Sequence, residues 1–221
     1  MCWIYPSKNY FWYVIKVIIN FRGDFADVCV FILCGLQAHI GLLLPPALSA
    51  LVDKQSHSAL KIEVLSFLRI ALQPSNKEAF APRLPALVDS LVHSLNDRYY
   101  KVVSEALCLC ETIATMMQPT PGDAATLELA KKLFDAVLKR LSANDQDQDV
   151  KEHSIRCIAT MVTHFSGVLT AQSRSVLTIL TERLNNDSTR LAAVRAFESV
   201  ARAPHPVDMN HVCAPKPVDV F

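Results

Sequence analysis

One pattern constrains this chain more than any other: an apolar helical stripe that comes back at a nearly fixed interval. Val103, Ala106, Leu107, Cys110, Ile113, Ala114 and Met117 follow one another at spacings of three, one and three, which keeps them on one helical face. The same signature recurs at Leu60, Val64, Leu65, Leu68, Ala71 and Leu72, at Ile155, Ile158, Met161, Val162 and Phe165, and at Leu191, Val194, Phe197 and Ala201. Between these stripes lie others, such as Leu84, Leu87, Val88, Leu91, Val92 and Leu95, then Leu127 to Leu141, then Leu177, Leu180 and Leu184. The leucines that close the first helix of each pair are Leu51, Leu95, Leu141 and Leu184, so the repeat intervals are 44, 46 and 43 residues.

The connections follow the same rhythm. Short turns within pairs are built from Asp53, from Asn96 with Asp97, from Asn144 with Asp145 to Asp149, and from Asn185 with Asp187. Such side chains accept from the free amides that open the following helix. Asp149 and Glu152 have the spacing of a capping box, with Asp in place of Ser or Thr. Prolines 74, 82, 85, 119, 121 and 204 fall in the linkers between pairs, where they cannot continue a helix. A helix pair repeating every ~40–47 residues is the period of HEAT and armadillo arrays, and the 34-residue tetratricopeptide period does not fit. The fold class expected is therefore all-α, a HEAT-repeat α-solenoid of about four antiparallel helix pairs, over 42–73, 82–118, 123–166 and 170–202.

Composition agrees with that architecture. Apolar residues make up 51% of the 221 and charged residues only 19%, as expected when each pair buries a face against both neighbours. Five glycines are too few for hairpins or phosphate-cradling loops. A net charge of +1 removes the electrostatic case for nucleic acid or an anionic membrane as partner. The seven cysteines form no CxxC pair and no framework spacing, which reads as reduced thiols in cytoplasm or nucleus.

The ends depart from the pattern. Nine of the 17 aromatic residues lie within positions 1–31, and residues 1–35 read as an atypical aromatic-rich leader without helical period. Neither Phe11 to Ile19, which contains Lys16, nor Val28 to Leu44, which contains Gln37 and His39, reaches the ~20 apolar residues of a membrane span. Residues 36–204 carry the repeat array, and 205–221 read as an irregular proline-rich tail. Nothing in that tail looks like a polar capping repeat, so the chain reads as a slice of a longer array, or as an incomplete gene product.

Four strings in order, LKIEVLSFL (60–68), RYYKVVSEAL (98–107), NDQDQDVKEHSIRCI (144–158) and STRLAAVRAF (188–197), resemble successive repeats of the cullin-associated neddylation-dissociated (TIP120) family. The resemblance covers roughly 36–204 and corresponds to an interior slice of the family's N-terminal half. It implies an all-HEAT regulator that wraps a cullin and its RING subunit while the cullin lacks its ubiquitin-like modifier. Such a protein blocks the modification site and displaces substrate-receptor adaptors, so that receptors exchange by competitive binding, without catalysis, cofactor or small-molecule substrate. On the repeat pattern alone, the alternative is a general HEAT scaffold or transport adaptor of importin or phosphatase-scaffold type.

Few residues offer other chemistry. Asp145, Asp147 and Asp149 have the opening spacing of a calcium loop, but Val150 and Arg156 stand where it needs Gly and Glu. His153 and Cys157 share a helical face without two further ligands nearby in sequence. No GxSxG elbow is present, so neither metal, cofactor nor catalytic residues are expected. The candidate partner-facing residues are Lys61, Lys101, Lys151 and Arg190, the first basic residue of each second helix, together with Tyr99. Basic residues recurring once per repeat would line one side of the array, and an exposed tyrosine is a plausible anchor. An intramolecular use competes, with Asp97 holding Lys101 and Asp187 holding Arg190, and with one of Tyr99 and Tyr100 packing the helix entry.

Overall fold

The computed structural model describes residues 40–72, 77–117, 119–120, 122–143, 147–204 and 207; the expected leader, most of the tail, and Asn144, Asp145 and Gln146 lie outside them. Among the described residues all regular structure is helical. Eight helices form four consecutive pairs: α1 (Ile40–Val52) and α2 (Ser58–Ala71), α3 (Leu84–Ser94) and α4 (Tyr100–Met116), α5 (Ala124–Ser142) and α6 (Gln148–Phe165), α7 (Thr170–Leu184) and α8 (Arg190–Ala201). A single turn, Lys77–Phe80, and a 3-10 turn, Ala81–Arg83, lead into α3. The pairing and the all-α, HEAT-type solenoid class agree with the pattern read from the stripes. The chain divides into two compact units, with the boundary between Thr112 and Ile113, inside α4.

In the first unit α1 packs on both α2 and α3. Helix α1 contains Pro45 and Pro46, each of which costs about 3 kcal/mol in the interior of an isolated helix. Both face solvent, as do Gly41 and Leu42, whose carbonyls lose their helical donors, so water can replace the missing bonds. The opposite face holds the helix: Ile40, Leu44, Ala47 and Leu51 are almost completely buried, and each large side chain among them contributes roughly 1.5–3 kcal/mol. The stripe of α4 is buried along its length as expected, and Val102 and Leu109 add a second buried face that the spacing did not single out.

In the second unit α6 packs against α5, α7 and α8. The expected stripe of α6, from Ile155 to Phe165, is buried, and Cys157 and Ala159 extend it around the helix. Buried serines close their hydroxyls on the carbonyl one turn back, as Ser154 does on Val150 and Ser173 on Leu169.

Three local expectations need correction. Pro85 lies in the first turn of α3 rather than in a linker, where its missing N–H costs no helical bond. The face of α8 that packs is Ala193, Ala196 and Val200, whereas Leu191 and Val194 are 62% and 51% exposed and Ala201 is exposed. Small residues let α8 approach α6 closely, and both of its faces carry apolar residues at helical spacing, so periodicity alone could not tell them apart. The cap of α6 is Asp147, whose carboxylate accepts from the Asp149 amide at 3.0 Å. Asp149 therefore lies inside the first turn and is not the capping residue. In a run of alternating aspartates several can cap, and tertiary packing chose where the helix starts.

Candidate partner-binding site

The second helices of the first unit are joined by polar contacts one repeat apart. Lys61, the fourth residue of α2, is buried, and its Nζ donates to Asp97 Oδ2 at 2.8 Å. Partial burial alone would raise the Asp97 carboxyl. The hydrogen bond from Lys61, the amides of Tyr99 and Arg98 and the Lys61 charge outweigh it and hold the group below its ordinary range. Further along α2, Ser66 Oγ donates to Glu105 Oε2 at 3.3 Å, and Arg69 Nε lies 3.9 Å from the same oxygen. Glu105 is thus a joint between repeats that its sequence position did not advertise. Its signal is visible only in retrospect, as a carboxylate one repeat beyond a serine and an arginine.

The turn between α3 and α4 is built from the side chains that the sequence places there. Asn96 Nδ2 donates to the Val92 carbonyl, and the Tyr99 amide donates to Asp97 Oδ1. The chain then enters α4 with Tyr99 and Tyr100 both partly exposed, at 38% and 37%. Their rings meet edge to face with centroids 5.3 Å apart, and Lys101 Nζ stands 5.8 Å from the Tyr100 centroid. Neither tyrosine is taken wholly into the helix entry.

In the second unit the corresponding joints are Gln148 to the Ser188 carbonyl, Thr163 to Ser199, and Arg183 to the Leu141 carbonyl at the end of α5. Arg183 thereby closes one of the open carbonyls at a neighbouring helix's C-terminus. Burial lowers the pKa of the Arg140 guanidinium in the preceding turn.

The structure distributes the five candidate residues unevenly. Lys61, Tyr99 and Lys101 belong to the first unit, Lys151 and Arg190 to the second. They do not share one helical register: Lys61 and Lys151 are fourth in their helices, Lys101 is second and Arg190 first. Lys61 is engaged with Asp97, and Arg190 is exposed but held by Asp187 at 2.6 Å and by the Leu184 carbonyl. Lys151 is half-buried. Tyr99 and Lys101 are exposed side by side at the entry of α4, around Tyr100. Of the two intramolecular pairs that the sequence offers, Asp187 with Arg190 forms, whereas Asp97 turns to Lys61 instead of Lys101.

No group of three metal-ligating side chains occurs among the described residues. Cys157 is fully buried and His153 half-buried on α6. No helix among the described residues is long and apolar enough to cross a membrane.

Comparison with known proteins places this arrangement in a family. Residues 35–158, which take in α1 to α5 and part of α6, match the family model described as CAND1-like, TPR repeats. The repeat interval of this chain is longer than the 34 residues of the motif in that description. Over 179 residues the chain is 36% identical to Cullin-associated NEDD8-dissociated protein 1 of Arabidopsis thaliana, covering 80% of this chain and 15% of that protein. It is 30% identical over 183 residues to the protein of the same name in Drosophila melanogaster, with 80% and 15% covered. Identity to Cullin-associated NEDD8-dissociated protein 2 of Mus musculus is 31% over 182 residues, with 81% and 15% covered. The chain spans about 15% of the length of these curated relatives. With the model matching more than half of its residues, the chain belongs to the CAND1-like family of helical-repeat proteins.

Proposed function

We propose that this chain is a protein-binding segment that associates with a cullin bearing its RING subunit, in the state that lacks the ubiquitin-like modifier. The observation that carries the reading is the family match through α1 to α6, joined to relatives whose names state cullin association. In this reading the chain binds and does not catalyse. It contributes part of a large surface that competes with the modifier and with substrate-receptor adaptors, in cytoplasm or nucleus. Its share of the relatives' length makes it one portion of that surface. Tyr99 and Lys101 are the contact residues proposed first, because their side chains are exposed at a turn whose backbone is held by Asp97. Lys151 and Arg190 are proposed second, and Lys61 is proposed to act through Asp97.

The test is a pull-down of purified cullin–RING complex, unmodified and modified, with the full chain. Retention of the unmodified complex and loss of the modified one is the expected result. Equal retention of both, or of neither, returns the chain to the general HEAT scaffold reading.

A further inference from the structure

The turn leading into α4 carries two exposed cations, Arg98 and Lys101, that no carboxylate among the described residues pairs with. Asp97, in the turn just before α4, is a carboxylate that the sequence offers to Lys101. The structure commits both of its oxygens elsewhere, Oδ2 to Lys61 Nζ at 2.8 Å and Oδ1 to the Tyr99 amide at 2.9 Å. Arg98 and Lys101 are exposed, and neither forms an ion pair among the described residues. Between them stand Tyr99 and Tyr100, with exposed ring surface in an edge-to-face arrangement. Four consecutive residues thus offer two cations flanking two amphipathic rings.

We infer that Arg98, Tyr99, Tyr100 and Lys101 form a docking surface for an acidic segment of a protein partner, one in which carboxylates adjoin an apolar side chain. A guanidinium and an ammonium on either side of the rings match carboxylates spaced along an extended or helical peptide. The rings supply rigid contact area for the apolar residue, at the cost of ordering few torsions. Lys61 is a positioning residue for this surface: by holding Asp97 it keeps an internal carboxylate from occupying Lys101. Charge favours an acidic peptide over nucleic acid, because the chain's net charge is only +1 and this surface offers two exposed cations rather than a phosphate-tracking stripe.

The experiment titrates the full chain against a fluorescein-labelled peptide of alternating Glu and Leu, read by anisotropy. A Lys-for-Glu peptide and a single-stranded oligonucleotide serve as comparison probes. The acidic peptide is expected to bind and to weaken with added salt. Arg98→Glu with Lys101→Glu should weaken it by about tenfold or more, and Tyr99→Ala with Tyr100→Ala by about three- to tenfold. Lys61→Met, which alters no residue of the surface, should also weaken binding by releasing Asp97 toward Lys101. Should that variant fail to fold by circular dichroism, Asp97→Asn replaces it and must leave binding intact or tighter. Absence of acidic-peptide binding, indifference to the charge reversals, or tighter binding of the oligonucleotide through the same residues overturns the inference. The probe is not a cullin, so this result and the pull-down can fail separately.

Discussion

Lys61 Nζ on α2 lies 2.8 Å from Asp97 Oδ2 in the turn before α4, with side chains only 9% and 14% exposed, so one ion pair joins two successive repeats across 36 positions. Removing one member of such a pair leaves the other charged and poorly solvated. Lys61→Ala should therefore destabilise the chain by about 2–3 kcal/mol, below the full cost of a wholly buried pair because some solvent still reaches it. Urea unfolding of Lys61→Ala, Asp97→Ala and the double variant should give a coupling of about 1–3 kcal/mol. Additive single effects would show the contact to be incidental.

Asp97 also makes stability depend on pH in a defined direction. Its carboxyl in the folded chain titrates below the ordinary value of 3.8, so the unfolded chain takes up the proton first. The contribution is complete above the ordinary value and is lost as pH falls through the lower folded value. Unfolding curves from about pH 6 down to about pH 2 should show wild type losing its advantage over Asp97→Asn across the acidic end of that window. A constant difference at all pH values would contradict the assignment.

The two faces of α8 should respond in opposite ways. Leu191 is 62% exposed, and Leu191→Ala should change stability by no more than about 0.5 kcal/mol. Ala193 is fully buried, and Ala193→Leu should cost about 1–3 kcal/mol through overpacking against α6. Thermal or urea unfolding of the two variants decides which face packs, since the reverse order would restore the stripe expected from spacing.

The start of α6 can be located by exchanging its aspartates. Asp147→Ala removes the acceptor for the Asp149 amide and should cost about 1 kcal/mol. Asp149→Ala removes only a charge in the first turn and should cost a few tenths of that figure at moderate salt. Comparable losses in both variants would show that the cap is shared.

A core substitution in the first unit supplies the scale for these effects. Leu107 is fully buried on α4, and Leu107→Ala should cost about 2–5 kcal/mol in the same measurement. A loss below about 1 kcal/mol would mean that the α4 stripe does not face the core.

Much of the fold was legible because helix pairs write their period into the chain. The closing leucines Leu51, Leu95, Leu141 and Leu184 fall at or within a residue or so of the ends of α1, α3, α5 and α7. The candidate site was legible only in parts. Asp97, Tyr99 and Lys101 stood out as a turn carboxylate, an aromatic residue and a base, but their partners did not. Hydrogen bonds that join residues 36 to 42 positions apart, such as Lys61 with Asp97 and Arg183 with Leu141, depend on how one helix pair settles on the next.

The sequence by itself determined the all-helical class, the pairing and the repeat interval, because apolar periodicity and turn residues act over a few neighbouring positions. Tertiary structure alone decided that Asp97 serves Lys61 rather than Lys101, and that α8 packs through Ala193 and Ala196 with Leu191 in solvent. Both outcomes are choices between locally equivalent alternatives. The side chain or face that wins is set by the proximity of another repeat, whose position no local pattern encodes.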